Sequence, residues 1–438
     1  MRIKKRFFPI HLLPFIFLSS SLLSYPGTGN FILKNLNKKV LNNGLTIITQ
    51  NDNFSKLTVM QILVKGGTSI EPPEKNGIAY LTTRLSIEIP DWSKVQILTE
   101  SSSGISLNCT GDYSLITLKC LSEKFEETLS IICKSMTDPL FSSLRINRIK
   151  DYMTDQIKAE QDNPAQMAYN AYLKGLYRDT GYGNPVFGTE ESLKKIKKGD
   201  IKNFYGNFFK AGNMIIVVSS DLDNEKLIEI IQKYFLKFPP GKPHGITTFK
   251  MRALKNNFFF EKEKKQSFIS IGYPLREANP KNFILATLLE TLLGKGINSR
   301  LWQLRHKEKL AYNVGSKAIS MKHGGIIETY IETQNEKREI TLEALKKELQ
   351  DLREKGLTEE ELNITKINAK ANFLRLNETK DKRTRTLAFF EALGLGYDFF
   401  NKFFDELDKI NLQEIDEFIR ECISPEKEIQ VIIGPKKD

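Results

Sequence analysis

Asn76-Gly77-Ile78-Ala79-Tyr80-Leu81-Thr82-Thr83-Arg84-Leu85 is the stretch from which the rest of the chain can be read. A glycine precedes apolar residues at helical spacing, which predicts a helix starting just after it. Tyr80 and Arg84 are four residues apart and so fall on one face of that helix, with Thr83 beside them.

Immediately upstream, Lys56 to Lys65 is rich in Val, Ile and Leu and reads as a strand, ended by Gly66-Gly67-Thr68-Ser69-Ile70-Glu71-Pro72. Before it, Val40-Leu41-Asn42-Asn43-Gly44-Leu45-Thr46-Ile47-Ile48 reads as strand, tight turn, strand, because Asn-Gly between apolar runs favours a hairpin. Downstream, Ile105 to Thr110 and Tyr113 to Leu121 read as two strands around Gly111-Asp112. Lys124 to Met136 carries a helical stripe of Phe125, Leu129, Ile132 and Cys133, stopped by Asp138-Pro139. A long helix runs from Ser143 to about Asp162 and contains Gln156-Ile157-Lys158-Ala159-Glu160-Gln161-Asp162-Asn163-Pro164.

These segments together resemble the pitrilysin/insulinase-like metallopeptidases, the inverzincins, whose zinc helix carries His-x-x-Glu-His. The opening Leu-x-Asn-Gly-Leu, the Gly-x-x-x-Glu loop before the helix, and Gly183-Asn184-Pro185-Val186-Phe187-Gly188-Thr189 are all similar to that family. Ile196, Asp200-Ile201, Phe204-Tyr205 and the strand Met214 to Ser219 continue the likeness. On the zinc signature, the two His positions hold Tyr80 and Arg84, and the Glu position holds Thr83. The family's third ligand is the Glu of Glu-Ile-x-x-x-x-Asp-x-Pro, and Gln156 occupies that position. Gln is a neutral amide and a poor zinc ligand, an arginine repels a cation, and a threonine hydroxyl is no base near neutral pH. Glu160 is nearby but one helical turn further on. The resemblance therefore implies a zinc-site helix whose four metal-binding roles have all been replaced.

Pro239-Pro240-Gly241-Lys242-Pro243 is the clearest linker signal and falls just past the midpoint. Ile196, Ile201, Phe204, Ile215 and Val217 match Ile410, Ile415, Phe418, Ile429 and Val431 without gaps, which points to duplication. The strand Ser267 to Gly272 then matches Lys56 to Lys65, and the helix Asn282 to Leu293 matches the quoted one. Just after that helix lies Ser299-Arg300-Leu301-Trp302-Gln303-Leu304-Arg305-His306-Lys307-Glu308-Lys309-Leu310-Ala311-Tyr312. It looks like the family's second-half segment, in which an Arg and a Tyr seven residues apart bind the substrate main chain and stabilise the oxyanion. Arg305 and Tyr312 match that pair in type and spacing. Spacing alone favours an exposed helix residue and a core aromatic; the surrounding segment favours the functional pair. Trp302 and Leu304 read as core packing. Glu336 to Lys355 reads as a charged amphipathic helix, and Phe389, Phe390, Phe399, Phe400, Phe403 and Phe404 as core, with the lining of a peptide cavity as the alternative.

A chain of 438 residues is too long for one ordinary core. The resemblance implies an α+β fold of two homologous domains, each a mostly antiparallel sheet covered by helices. The expected layout is a signal peptide at 1–26, an N-terminal domain at 27–238, a linker at 239–256 and a C-terminal domain at 257–438. The leader reading rests on a basic start followed by the apolar run Phe7 to Leu23. It implies export to the periplasm or cell envelope, with a membrane attachment only if the leader is kept. Setting aside its four basic residues, Arg2, Lys4, Lys5 and Arg6, lowers the formal net charge from +12 to +8. No dense basic stripe with interleaved aromatics is present, which argues against nucleic-acid binding. Cys109, Cys120, Cys133 and Cys422 lack zinc-knuckle spacing and read as buried free thiols. The histidines, His11, His244, His306 and His323, offer no alternative zinc set.

In heterodimers of this family one chain carries zinc and the other has lost it while supplying the Arg/Tyr pair. The resemblance thus implies a non-catalytic subunit, inactive alone, with no cofactor of its own. Zinc is expected in a paralogous partner, and an unfolded peptide as substrate, held partly by strand addition. The alternative is a catalytically inert peptide-binding or structural scaffold. The weakest reading is a solitary metallopeptidase with an unrecognised site.

Overall fold

The computed structural model describes residues 32–178, 180–242 and 256–436, leaving aside the side chains of 307 and 308. The leader, His11, His244 and most of the expected linker lie outside the described residues. In chain order the first half comprises β1 (Leu36–Val40), β2 (Thr46–Asn51), β3 (Leu57–Lys65), α1 (Ile78–Ser86), α2 (Trp92–Glu100), β4 (Gly104–Cys109), β5 (Tyr113–Leu121), α3 (Phe125–Thr137), α4 (Ser143–Asp162), α5 (Pro164–Tyr177), α6 (Glu190–Lys195), α7 (Lys198–Phe208), β6 (Met214–Ser220) and α8 (Asn224–Phe235). The second comprises β7 (Asn256–Glu261), β8 (Gln266–Pro274), α9 (Pro280–Gly294), α10 (Arg300–Glu308), β9 (Asn313–Met321), β10 (Gly324–Gln334), α11 (Arg338–Lys355), α12 (Glu359–Leu376), α13 (Lys380–Leu393), α14 (Phe399–Lys409), α15 (Leu412–Cys422) and β11 (Ile429–Gly434).

The expected hairpin forms between β1 and β2, with Val40 opposite Thr46. Its turn needs glycine twice over. Gly44 has φ +91°, and a Cβ there would lie 2.9 Å from Gly212 Cα. Strand order is β1-β2-β6-β3-β5-β4 in the first sheet and β7-β11-β8-β10-β9 in the second. β2/β6 and β7/β11 are parallel, and the remaining pairs are antiparallel. The second sheet therefore repeats the first without β1. α7 and α15 are both 11-residue helices, each leading into a buried central strand. All five repeated pairs read from the sequence are buried in these units. β8 and α9 take the places of β3 and α1, as expected.

Each half also lays a helix on the other's sheet, which periodicity alone does not reveal. α5 packs against β8 and β11, and α13 against β3 and β6. The Tyr172 hydroxyl on α5 is hydrogen-bonded to Ser270 Oγ on β8. The Tyr172 ring fills the space above Gly272, where a Cβ would meet it at 2.6 Å. On the other side, Gln61 Nε2 of β3 donates to Asp381 (3.3 Å) and Thr384 (3.2 Å) of α13, and Lys119 pairs with Asp381 at 2.9 Å. The phenylalanines of α13 and α14 gather around Phe283 and Phe373, with Phe373 stacked on Phe403 at 4.0 Å; all are core but Phe389, which is half-buried. All four cysteines are buried free thiols.

Candidate functional site

α1 is built by its flanks. Gly77 has φ +93° at the N-cap, and a Cβ there would lie 2.8 Å from the Phe187 carbonyl oxygen. The first backbone N–H groups of the helix find their acceptor in Glu71. Its carboxylate accepts from Gly77 N–H, 3.1 Å to each oxygen, and from Ala79 N–H at 2.9 Å. A carboxyl oxygen there pairs N–H groups that the helix leaves without a partner. Burial still pushes the Glu71 carboxyl up to about 8, against the pull of those backbone bonds. The Gly-x-x-x-Glu pattern marked this loop in the sequence, but the capping role of Glu71 emerges only from the structure.

Ile78, Leu81 and Leu85 face the core of the first half. Tyr80, Thr83 and Arg84 lie on α1, which packs on α4, the helix that carries Gln156. The Tyr80 ring meets Phe187 edge-on at 4.8 Å. Its hydroxyl is hydrogen-bonded to Tyr152 of α4, and burial together with that bond raises its pKa, so it stays a neutral phenol. Thr83 is buried, and its hydroxyl donates to the Ala79 carbonyl at 2.8 Å, one turn back. Arg84 is half-buried and close enough to Tyr80 to act on it electrostatically. Gln156 is half-buried on α4, one turn beyond Tyr152. Glu160, the nearest carboxylate to a rescue ligand by sequence, accepts instead from Asn170 of α5 at 3.3 Å.

A phenol, a hydroxyl spent on backbone, a guanidinium and an amide do not fit Zn²⁺, which takes thiolate, imidazole or carboxylate. Among the described residues no three His, Cys, Asp or Glu side chains come together as a metal set. No hydrolytic step can therefore be assigned to α1.

Arg305 lies on α10, with its guanidinium 4.8 Å from the centroid of the Trp302 ring. Leu304 is buried, whereas Trp302, expected in the core, is partly exposed and serves as the platform for Arg305. Tyr312 precedes β9 and is 52% exposed, so it is not a core aromatic. Its hydroxyl accepts from Gln334 Nε2 at 2.9 Å, and its N–H donates to the Glu332 carbonyl at 2.9 Å. Glu332 lines a cavity of about 490 Å³ with Lys265, Phe268 and Pro164, the first residue of α5. Among the hydrogen bonds of the described residues none joins Arg305 to Tyr312, so the two side chains are held separately.

The sheet edges differ. Glu290 of α9 seals β9, since its carboxylate accepts from Ala318 N–H and its carbonyl accepts from Ser316 Oγ at 2.6 Å. β4 pairs only with β5. It turns Ile105, Leu107 and Cys109 inward and leaves Gly104, Ser106 and Asn108 exposed. Among the described residues no backbone bond from another element reaches its outer edge. That edge can accept an extended peptide.

The family model described as Insulinase (Peptidase family M16) matches residues 46–190, and the one described as Peptidase M16 inactive domain matches 195–368. An uncharacterized zinc protease of Rickettsia felis is 25% identical over 376 residues, covering 84% of this chain and 89% of that one. The Helicobacter pylori protein named non-peptidase homolog YmxG is 23% identical over 380 residues, covering 85% and 88%. The crystal structure of a peptidase M16 inactive domain from Pseudomonas fluorescens superposes with TM-score 0.82 at 18% identity, covering 92% of this chain and 98% of that one. The names of these relatives divide between protease and non-peptidase, so the residues at the site have to decide.

Proposed function

The chain belongs to the insulinase-like peptidases of family M16, and from that membership we propose that it is a non-catalytic, peptide-binding subunit completing the site of a zinc-bearing paralogue. The observation that carries the reading is the contrast between two regions. At α1 and α4 the scaffold is complete, but Tyr80, Thr83, Arg84 and Gln156 supply no zinc ligand. In the second half, Tyr312 is exposed and Arg305 half-buried, each held by a neighbour.

The partner's zinc would polarise the scissile carbonyl and supply the attacking water. This chain's share is binding and orientation. An extended peptide pairs along β4, and the Arg305 guanidinium and Tyr312 hydroxyl donate to main-chain oxygens. Two fixed donors aimed at a developing oxyanion stabilise it without reorganisation. We place the pair outside the cytoplasm, in the periplasm or cell envelope, on the strength of the leader sequence.

The test mixes the chain with a His-x-x-Glu-His paralogue from the same source and follows peptide cleavage. The mixture is expected to cleave where neither chain does alone. Arg305→Ala or Tyr312→Phe should slow it on the order of a hundredfold. A partner that is fully active by itself, or a mixture indifferent to both variants, would leave the inert scaffold as the better reading.

A further inference from the structure

The turn between β2 and β3 presents Phe54 with 96% of its surface exposed. Beside it, Leu57 and Leu121 are cross-strand neighbours on β3 and β5, and both are exposed. This apolar tip is not a loose loop. Lys380 Nζ, at the start of α13, donates to the carbonyls of Asp52 (2.7 Å), Ser55 (2.8 Å) and Leu57 (3.0 Å). Arg383 pairs with Asp52 at 2.5 Å, and Phe54 N–H donates to Asp52 Oδ1 at 3.0 Å. The turn is ordered before any contact, so little entropy remains to be lost when the ring is buried.

The charges around the tip are arranged asymmetrically. The Lys56 side chain is 87% exposed, while its partner Asp221 is 8% exposed. Lys119 and Arg385 both stand further out than Asp381, the carboxylate they share. Lys382 is paired with the exposed Glu378. Lys56, Lys119 and Arg385 thus reach further into solvent than the carboxylates they pair with, whereas Lys380 and Arg383 are spent inside the turn.

We propose that this end of the molecule contacts an anionic lipid surface, with Phe54, Leu57 and Leu121 entering the interface and Lys56, Lys119 and Arg385 meeting headgroup phosphates. Apolar side chains and nearby cations are each weak anchors alone and act together at a membrane surface. A convex tip with outward cations fits a lipid interface better than a neutral pocket on another protein. The nine residues of β3 carry the chain about 30 Å from the tip to Gly66, where it turns toward α1. Lipid contact at the tip therefore leaves α1 uncovered.

The test uses the full chain and vesicles of phosphatidylglycerol with phosphatidylethanolamine, compared with phosphatidylcholine alone. The apolar run Phe7 to Leu23 also favours lipid, so the readout is the difference between variants. Phe54→Asp is expected to weaken partition into the anionic vesicles about tenfold. Phe54→Trp should retain it, and the introduced indole should shift to shorter emission wavelength when vesicles are added. Phe54 is exposed, so neither change threatens folding. Equal partition of Phe54→Asp and wild type, no preference for anionic vesicles, or an unshifted indole emission would overturn the proposal. So would Phe54-dependent binding to a soluble protein without any to vesicles.

Discussion

Glu71 shows how much of this region rests on one buried side chain. Its carboxylate closes the N-terminus of α1 with three hydrogen-bond contacts to two N–H groups. Glu71→Ala leaves those donors buried and unpaired and is expected to cost about 3 kcal/mol, read as a shift in urea midpoint. The same residue gives a pH dependence. Its folded-state pKa of about 8 lies above its ordinary 4.5. Its contribution is thus fully present below 4.5 and lost as pH rises through 8. Wild type should lose stability relative to Glu71→Gln between pH 5 and pH 8, and a constant gap between the two would contradict this. The cysteines give a second check at this scale. Burial pushes the Cys109 and Cys422 thiols up to about 12 and Cys120 to about 11. A thiol reagent such as DTNB should therefore label none in the folded chain and four after denaturation; rapid native labelling would show that at least one is accessible.

Among the elements, α1 and α4 carry the four positions that the resemblance aligns with a zinc site, and none of the four holds a zinc ligand. Restoring the four roles together, by Tyr80→His, Thr83→Glu, Arg84→His and Gln156→Glu, is expected to create binding of one Zn²⁺ per chain, measured by elemental analysis after dialysis. Arg84→His alone should not, because one imidazole is not a ligand set. If the fourfold variant folds and stays metal-free, the two helices are not in register for a site. These elements were legible in the sequence. The hairpin at 40–48, the strand from Tyr113 and the span of α4 all carried strong periodicity or turn signals. Their functional partners were less legible. Glu290 seals β9 through a contact between a helix and a strand edge, which no local pattern encodes. Trp302 looked like core because its apolar surface says nothing of the guanidinium that stacks on it.

At the level of the whole molecule, the duplication was legible because α7–β6 and α15–β11 preserve the same spacing of buried residues. The exchange of α5 and α13 between the halves was not. An amphipathic helix shows that it has a buried face, without showing which sheet buries it. The exchange makes the seam between halves a packed interface, and Gly272 is one of its close approaches. Gly272→Ala forces a methyl into the Tyr172 ring and should destabilise the whole chain by about 3 kcal/mol in a single cooperative transition. An unfolding curve that splits into two steps would mean that the halves are only loosely joined. A non-catalytic role requires that the wild-type chain have no zinc site of its own. Native mass spectrometry of the purified protein with equimolar zinc decides it: the prediction is a metal-free chain, and one tightly held Zn²⁺ per chain would contradict the account.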